Sequence, residues 1–169
     1  MTRNALPLLA LSTLILATCL AHGTAHARGP ADLINDPSEI GMTLPGTMAK
    51  SIKEERILDT TDGEGNQVIV ARTTRAPGTR TPLHLHEYGG TTCVLEGEMT
   101  LYLEGATPQK AVAGQCYYMP AGKAMAGINT GNVNAVMLDT FKVPVGRPVW
   151  TVVESSGRVL QDQFDVHKH

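Results

Sequence analysis

Two stretches decide how this chain reads: Gly78-Thr79-Arg80-Thr81-Pro82-Leu83-His84-Leu85-His86, and Gly114-Gln115-Cys116-Tyr117-Tyr118-Met119-Pro120-Ala121-Gly122-Lys123-Ala124-Met125-Ala126-Gly127-Ile128-Asn129. Between them runs Val94-Leu95-Glu96-Gly97-Glu98. His84 and His86 stand two apart on an expected strand, so their side chains leave the same face and both imidazoles converge on one point. Neutral imidazoles are good ligands for first-row transition metals. The glycines permit tight turns and Pro120 sets a bend between strands, so these residues shape a framework rather than perform chemistry.

The flanking sequence has the texture of a β domain. Met99, Leu101 and Leu103 alternate with Thr100, Tyr102 and Glu104, which predicts a strand with one face in a core and the other toward water. Residues 67–73, 91–95, 116–119, 135–143 and 149–154 are further expected strands, each bounded by Gly, Pro, Asn or Asp. No long amphipathic helix interrupts them, and strands this short and numerous predict an all-β sandwich or barrel.

Residues 78–129 resemble the paired motifs of the cupin family, G-x5-H-x-H-x3-E-x6-G followed by G-x5-P-x-G-x2-H-x3-N. Gly78, His84, His86 and Gly97 match the first, and Gly114, Pro120, Gly122 and Asn129 match the second. The resemblance implies a single cupin-type jelly-roll β-barrel, placed at residues 54–154. It also implies a metal held by two His, a Glu and a further His. Here the Glu position is Gly90 and the second-motif His position is Met125, so half of that ligand set is gone.

The expected metal site is therefore His84 and His86, completed by Met125 or by Glu87. A thioether at Met125 suits copper, whereas the alternative reading makes it a filler of an apolar interior. Glu87 points away from His86 in a regular strand, but Tyr88-Gly89-Gly90 offers a bend that brings its carboxylate round. Cys93 is a weaker third candidate. The expected cofactor is a divalent or cuprous transition-metal ion: copper, iron, manganese or zinc. Cupins similar to this one include dioxygenases, isomerases, decarboxylases and lyases working on small molecules, so a small-molecule ligand is an expected partner. Acid or base candidates are Glu87, Tyr88, Tyr102 and Tyr118. A metal-free ligand-binding barrel, with the His pair supplying hydrogen bonds, is the remaining alternative.

The whole chain bounds these readings. It has 169 residues, 18% of them charged, and a net charge of -2, which suits one domain and gives no basic stripe for nucleic acid. Residues 1–27 read as a signal peptide, with Arg3 ahead of an apolar run from Leu6 to Leu20 and Ala25-His26-Ala27 as cleavage site, so the expected location is periplasmic or secreted. A lipobox-like Leu16-Ala17-Thr18-Cys19 is the competing reading. No second apolar stretch reaches spanning length, so no transmembrane segment is expected after signal removal. Export leaves Cys93 and Cys116, either bridged or as two buried thiols. Residues 28–53 read as a lead-in arm, through which the resemblance implies a homodimer, and residues 155–169 as a polar tail. His167 and His169 in that tail make an unspecific metal site and are not counted.

Overall fold

The computed structural model describes residues 32–160. The expected signal peptide, Cys19, and the tail from residue 161 with His167 and His169 lie outside the described residues.

Two curled sheets face each other, as in the all-β jelly-roll barrel expected from the sequence. The first contains β1 (Thr47–Met48), β4 (Thr79–Arg80), β10 (Met125–Ile128), β5 (His84–Leu85) and β12 (Thr151–Val152), with β7 (Glu98–Leu103) pairing β10 and β8 (Gln109–Val112) pairing β7. The second has the order β2 (Lys53–Thr61), β3 (Asn66–Arg75), β11 (Ala135–Pro144), β6 (Gly90–Glu96), β9 (Cys116–Met119). Glycines sit at the corners where the chain needs positive φ. At Gly97, between β6 and β7, φ is 72° and a Cβ would meet the Asn134 carbonyl oxygen at 2.8 Å, so no other residue fits that turn without a backbone shift.

Strand parity sorts the core. On β3, Ile69, Ala71, Thr73 and Arg75 are buried while their neighbours are more open. On β9, Tyr117 and Met119 turn in while Cys116 and Tyr118 turn out. These inner faces meet Met99, Leu101 and Met125 from the first sheet in one apolar core. Each such side chain, fully buried, contributes about 2 kcal/mol.

The expectation that the second face of β7 meets water is corrected by the structure. Thr100 is buried and Tyr102 partly so. Tyr102 packs against a second apolar cluster formed by Ile34, Met42, Leu83, Leu85, Ala124, Ala126 and Val153. The segment ahead of the barrel thus covers the outer face of the first sheet. Its 3-10 turn, Pro37–Ile40, is capped by Asp36, whose carboxylate accepts from the Ser38 amide at 2.8 Å. A parallel bridge joins Ile34 to Glu154. Glu154 in turn takes both guanidinium nitrogens of Arg80, at 2.8 and 2.9 Å, and the Leu83 amide at 2.7 Å. Glu154 is buried and Arg80 largely so, and the two-point contact ties β4, β5 and the end of β12 together.

Cys93 and Cys116 are direct partners across β6 and β9 and form a disulfide, with Cα atoms 4.0 Å apart. The bridge lies on the outward face of the second sheet, because Thr92, Val94 and Tyr117 take the inward positions. Cys93 is thereby removed from the metal-ligand candidates. Among the described residues, no helix is long and apolar enough to cross a membrane.

Candidate functional site

β5 delivers His84 to the interior, and the chain leaves that strand so that His86 enters the same space two residues later. Both rings are buried, with centroids 4.9 Å apart and planes perpendicular. His84 Nδ1 lies 2.8 Å from the Pro82 carbonyl oxygen and His86 Nδ1 lies 2.8 Å from that of Val149. A carbonyl only accepts, so each ring carries its proton on Nδ1. The two Nε2 atoms then face each other, 3.2 Å apart, each with an available lone pair.

The surroundings keep the rings neutral. Burial drives the His84 imidazole well below its ordinary range, and the neighbouring His86 adds to the effect. Burial likewise pushes His86 down to about 4, with the hydrogen bond to Val149 opposing. Trp150 meets His84 edge-on at 4.7 Å, and Phe141 stacks on His86 at 4.8 Å. Two neutral nitrogens aimed at one point repel unless a proton or a cation lies between them. Bonds of about 2.1 Å from both to one ion would meet at an angle of about 100°, so the pair fits a metal. The carbonyl-anchored Nδ1–H groups are the usual way metal-ligating imidazoles are oriented.

Met125 is the direct partner of His84 across β10 and β5, and it is fully buried. Both line a cavity of about 60 Å³ between the sheets, room for a few non-hydrogen atoms. The cavity thus brings together three of the four site residues expected from sequence. Glu87 is turned away: the chain makes its turn at Glu87 and Tyr88, and the Glu87 carboxylate pairs with Arg147 at 2.6 Å on the surface. An exposed carboxylate with a guanidinium partner keeps its hydration, which burial beside the imidazoles would strip away. Tyr88 and Tyr118 are exposed, and Tyr102 lies in the outer cluster. None of these three lines the cavity.

Sequence reasoning missed a polar wall on the second sheet. Asp139 occupies an inward position on β11, between Met137 and Phe141, and stands in register with Thr92 on β6. Its carboxylate accepts from the Thr92 hydroxyl at 2.6 Å and from the Thr73 hydroxyl at 2.8 Å. Burial pushes the Asp139 carboxyl up, against both hydroxyls and the positive charge of Arg75. Arg75 itself is buried and donates to the Ala49 carbonyl at 3.0 Å and to Ser51 Oγ at 3.3 Å. Tyr117 completes the wall, and burial raises its phenol well above the ordinary value. Glu54, on the neighbouring strand, is pushed up to about 7, by burial first and by Asp139 second. A signal was available: a carboxylate at the inward parity of an apolar strand is a position worth explaining. Asp139 lies two residues along β11 from Phe141, about 7 Å at the rise of an extended strand.

Comparison with known proteins agrees with this architecture. Residues 71–141 match the cupin domain family model. No curated protein matches. Among solved structures, a conserved protein with a double-stranded β-helix domain from Klebsiella pneumoniae is similar at TM-score 0.50 and 20% identity, over 72% of this chain and 97% of that one. The polyketide cyclase RemF from Streptomyces resistomycificus is similar at TM-score 0.50 and 23% identity, over 62% and 74%. A putative sugar phosphate isomerase from Acidithiobacillus ferrooxidans is 26% identical at TM-score 0.39, over 43% of this chain, which spans only about half of that protein's length, 48%. The likenesses to the Klebsiella protein and to RemF concern the fold alone.

Proposed function

From the cupin domain that this chain carries at residues 71–141, we propose that the protein binds a transition-metal ion inside its barrel through His84 and His86. The observation that carries the reading is the convergence of two Nδ1-protonated imidazoles, their Nε2 atoms 3.2 Å apart in a buried cavity. Met125 pairs with His84 across β10 and β5 and brings a soft donor to the same cavity. When bound, the ion supplies a positive centre that attracts and polarises a small coordinating ligand. The protein's own part is to hold the two rings in one tautomer, keep bulk water out and shape the remaining 60 Å³.

Export belongs to the same proposal. The segment 1–27 reads as a signal peptide, and the Cys93–Cys116 bridge suits an oxidising compartment, where such bonds persist.

The test is metal content of the exported protein by mass spectrometry, beside a His84→Ala, His86→Ala double variant. One ion per chain, lost in the variant, supports the proposal. Equal metal in both proteins, or none in either after reconstitution, overturns it.

Asp139 favours a second reading, in which the ion and the carboxyl together hold a small molecule for reaction. The carboxyl and the His pair line one cavity, whose volume of about 60 Å³ admits a molecule of a few atoms. Its hydrogen bonds from Thr73 and Thr92 fix the carboxyl's orientation, as an acid or base group requires.

A further inference from the structure

Resting on the metal reading above, we propose that the ion is monovalent copper and that the Met125 thioether is its third protein ligand.

The donor set is the first argument. Among the described residues, no third His, Cys, Asp or Glu comes together with the His pair. Met125 does: it is paired with His84 across two hydrogen-bonded strands, points to the same inner face and is fully buried. Met99, Met119 and Met137 line the same cavity. Imidazole with thioether is a soft set that suits cuprous copper and disfavours manganese.

The second argument is steric. Gly90 opens β6 on the cavity side, where a carboxylate side chain would reach toward the imidazoles. A Cβ at Gly90 would lie 2.6 Å from two ring carbons of Phe141 and 3.0 Å from Met119 Cε. Phe141 is itself stacked on His86, so the room for a hard oxygen ligand is filled by an aromatic ring that belongs to the site.

Charge is the third. Two neutral imidazoles and a thioether contribute no negative charge. Among the described residues, Asp139 is the carboxylate that lines the cavity; it accepts from two hydroxyls, and the buried Arg75 lines the same cavity. The cost of burying an ion rises with the square of its charge. A divalent ion in this neutral donor set therefore pays about four times the desolvation of a monovalent one, and the Asp139 carboxylate across the cavity is already engaged by the Thr73 and Thr92 hydroxyls.

The experiment titrates the full chain anaerobically with Cu(I) against a chromophoric Cu(I) chelator, and separately with Zn(II) and Mn(II) by calorimetry. The double variant His84→Ala, His86→Ala serves as background for the tail histidines. One Cu(I) per chain is expected, bound roughly 1,000-fold or more tighter than either divalent ion. Met125→Leu is expected to weaken Cu(I) about 100-fold and to leave Zn(II) nearly unchanged. Should Met125→Leu lose the fold by circular dichroism, Met125→His replaces it and is expected to shift preference toward Zn(II) by adding a third imidazole. Zn(II) or Mn(II) bound as tightly as Cu(I), and lost with the His pair, overturns the copper assignment while the metal reading stands. No specific binding of any of the three ions overturns both. Tight Cu(I) binding indifferent to both Met125 variants overturns the ligand role of Met125.

Discussion

The ring of Phe141 fills the space a side chain at Gly90 would need, with two ring carbons 2.6 Å from where a Cβ would stand. Phe141 comes from β11 and Gly90 from β6, neighbours in the second sheet. The same ring lies flat on His86. One side chain thus packs the core, stacks on the His86 imidazole and closes the place where a carboxylate would otherwise approach.

Gly90→Glu alone should therefore destabilise the protein by about 3 kcal/mol or more, through overpacking and a buried charge, and should not raise its affinity for Zn(II). Gly90→Glu with Phe141→Ala supplies the room. That pair should bind Zn(II) more tightly than the parent. Urea denaturation and calorimetry on the three proteins check this, and a single Gly90→Glu variant of parental stability would refute the steric argument.

In the metal-free protein at pH 7, both imidazoles should be neutral with the proton on Nδ1, because Pro82 and Val149 offer only carbonyl oxygens there. Long-range ¹H–¹⁵N correlation spectra of labelled apo-protein report the tautomer directly. A proton on Nε2 of both rings would contradict the geometry on which the site depends.

Glu54 predicts a pH dependence with a definite sign. Its carboxyl is raised from 4.5 to about 7 in the fold, chiefly by burial and then by Asp139, while Arg56 and Arg75 pull the other way. The folded state holds the proton more tightly than the unfolded chain. The resulting stabilisation is complete below about pH 4.5, is lost as pH rises through about 7, and stays lost above it. Glu54→Gln keeps a neutral group throughout, so its stability should fall less between pH 5 and pH 8, by about 1 kcal/mol after allowance for the partial exposure of Glu54. Asp139 is shifted in the same direction and leaves a residual slope. Urea midpoints at the two pH values, wild type against variant, give the comparison.

Cys93→Ser with Cys116→Ser opens a bridge that spans 23 residues, and should cost about 3 kcal/mol. The cavity lies behind the opposite face of the same strands, so metal binding should survive in the folded double variant. Denaturation curves with and without reductant, a free-thiol count on the purified protein and metal content of the double variant test both halves.

Much of the fold was legible beforehand. The alternation on β7 follows from the two-residue period of a strand, and turn residues bracket the apolar runs that form β3, β6, β9 and β11. β2 was harder to see, because its exposed Ile57 and Leu58 straddle a register shift between Arg56 and Leu58 that breaks the alternation. β10 was missed for another reason. It is buried on both faces, Met125 and Gly127 toward the cavity and Ala126 toward the outer cluster, so it carries no polar stripe to betray a strand.

The division between sequence and structure follows from what is local and what is not. A His-x-His spacing determines by itself that two imidazoles share a face, and the motif glycines determine where the chain turns, since both are properties of a few consecutive residues. Which residue stands across the sheet or across the cavity depends on pairings between segments dozens of positions apart. Only the tertiary structure decided that Cys93 meets Cys116, that Asp139 and Arg75 face the histidines' cavity, and that Phe141 takes the space at Gly90. It also decided that Glu87 turns outward to Arg147, because at a surface turn a hydrated ion pair costs less than burying a carboxylate.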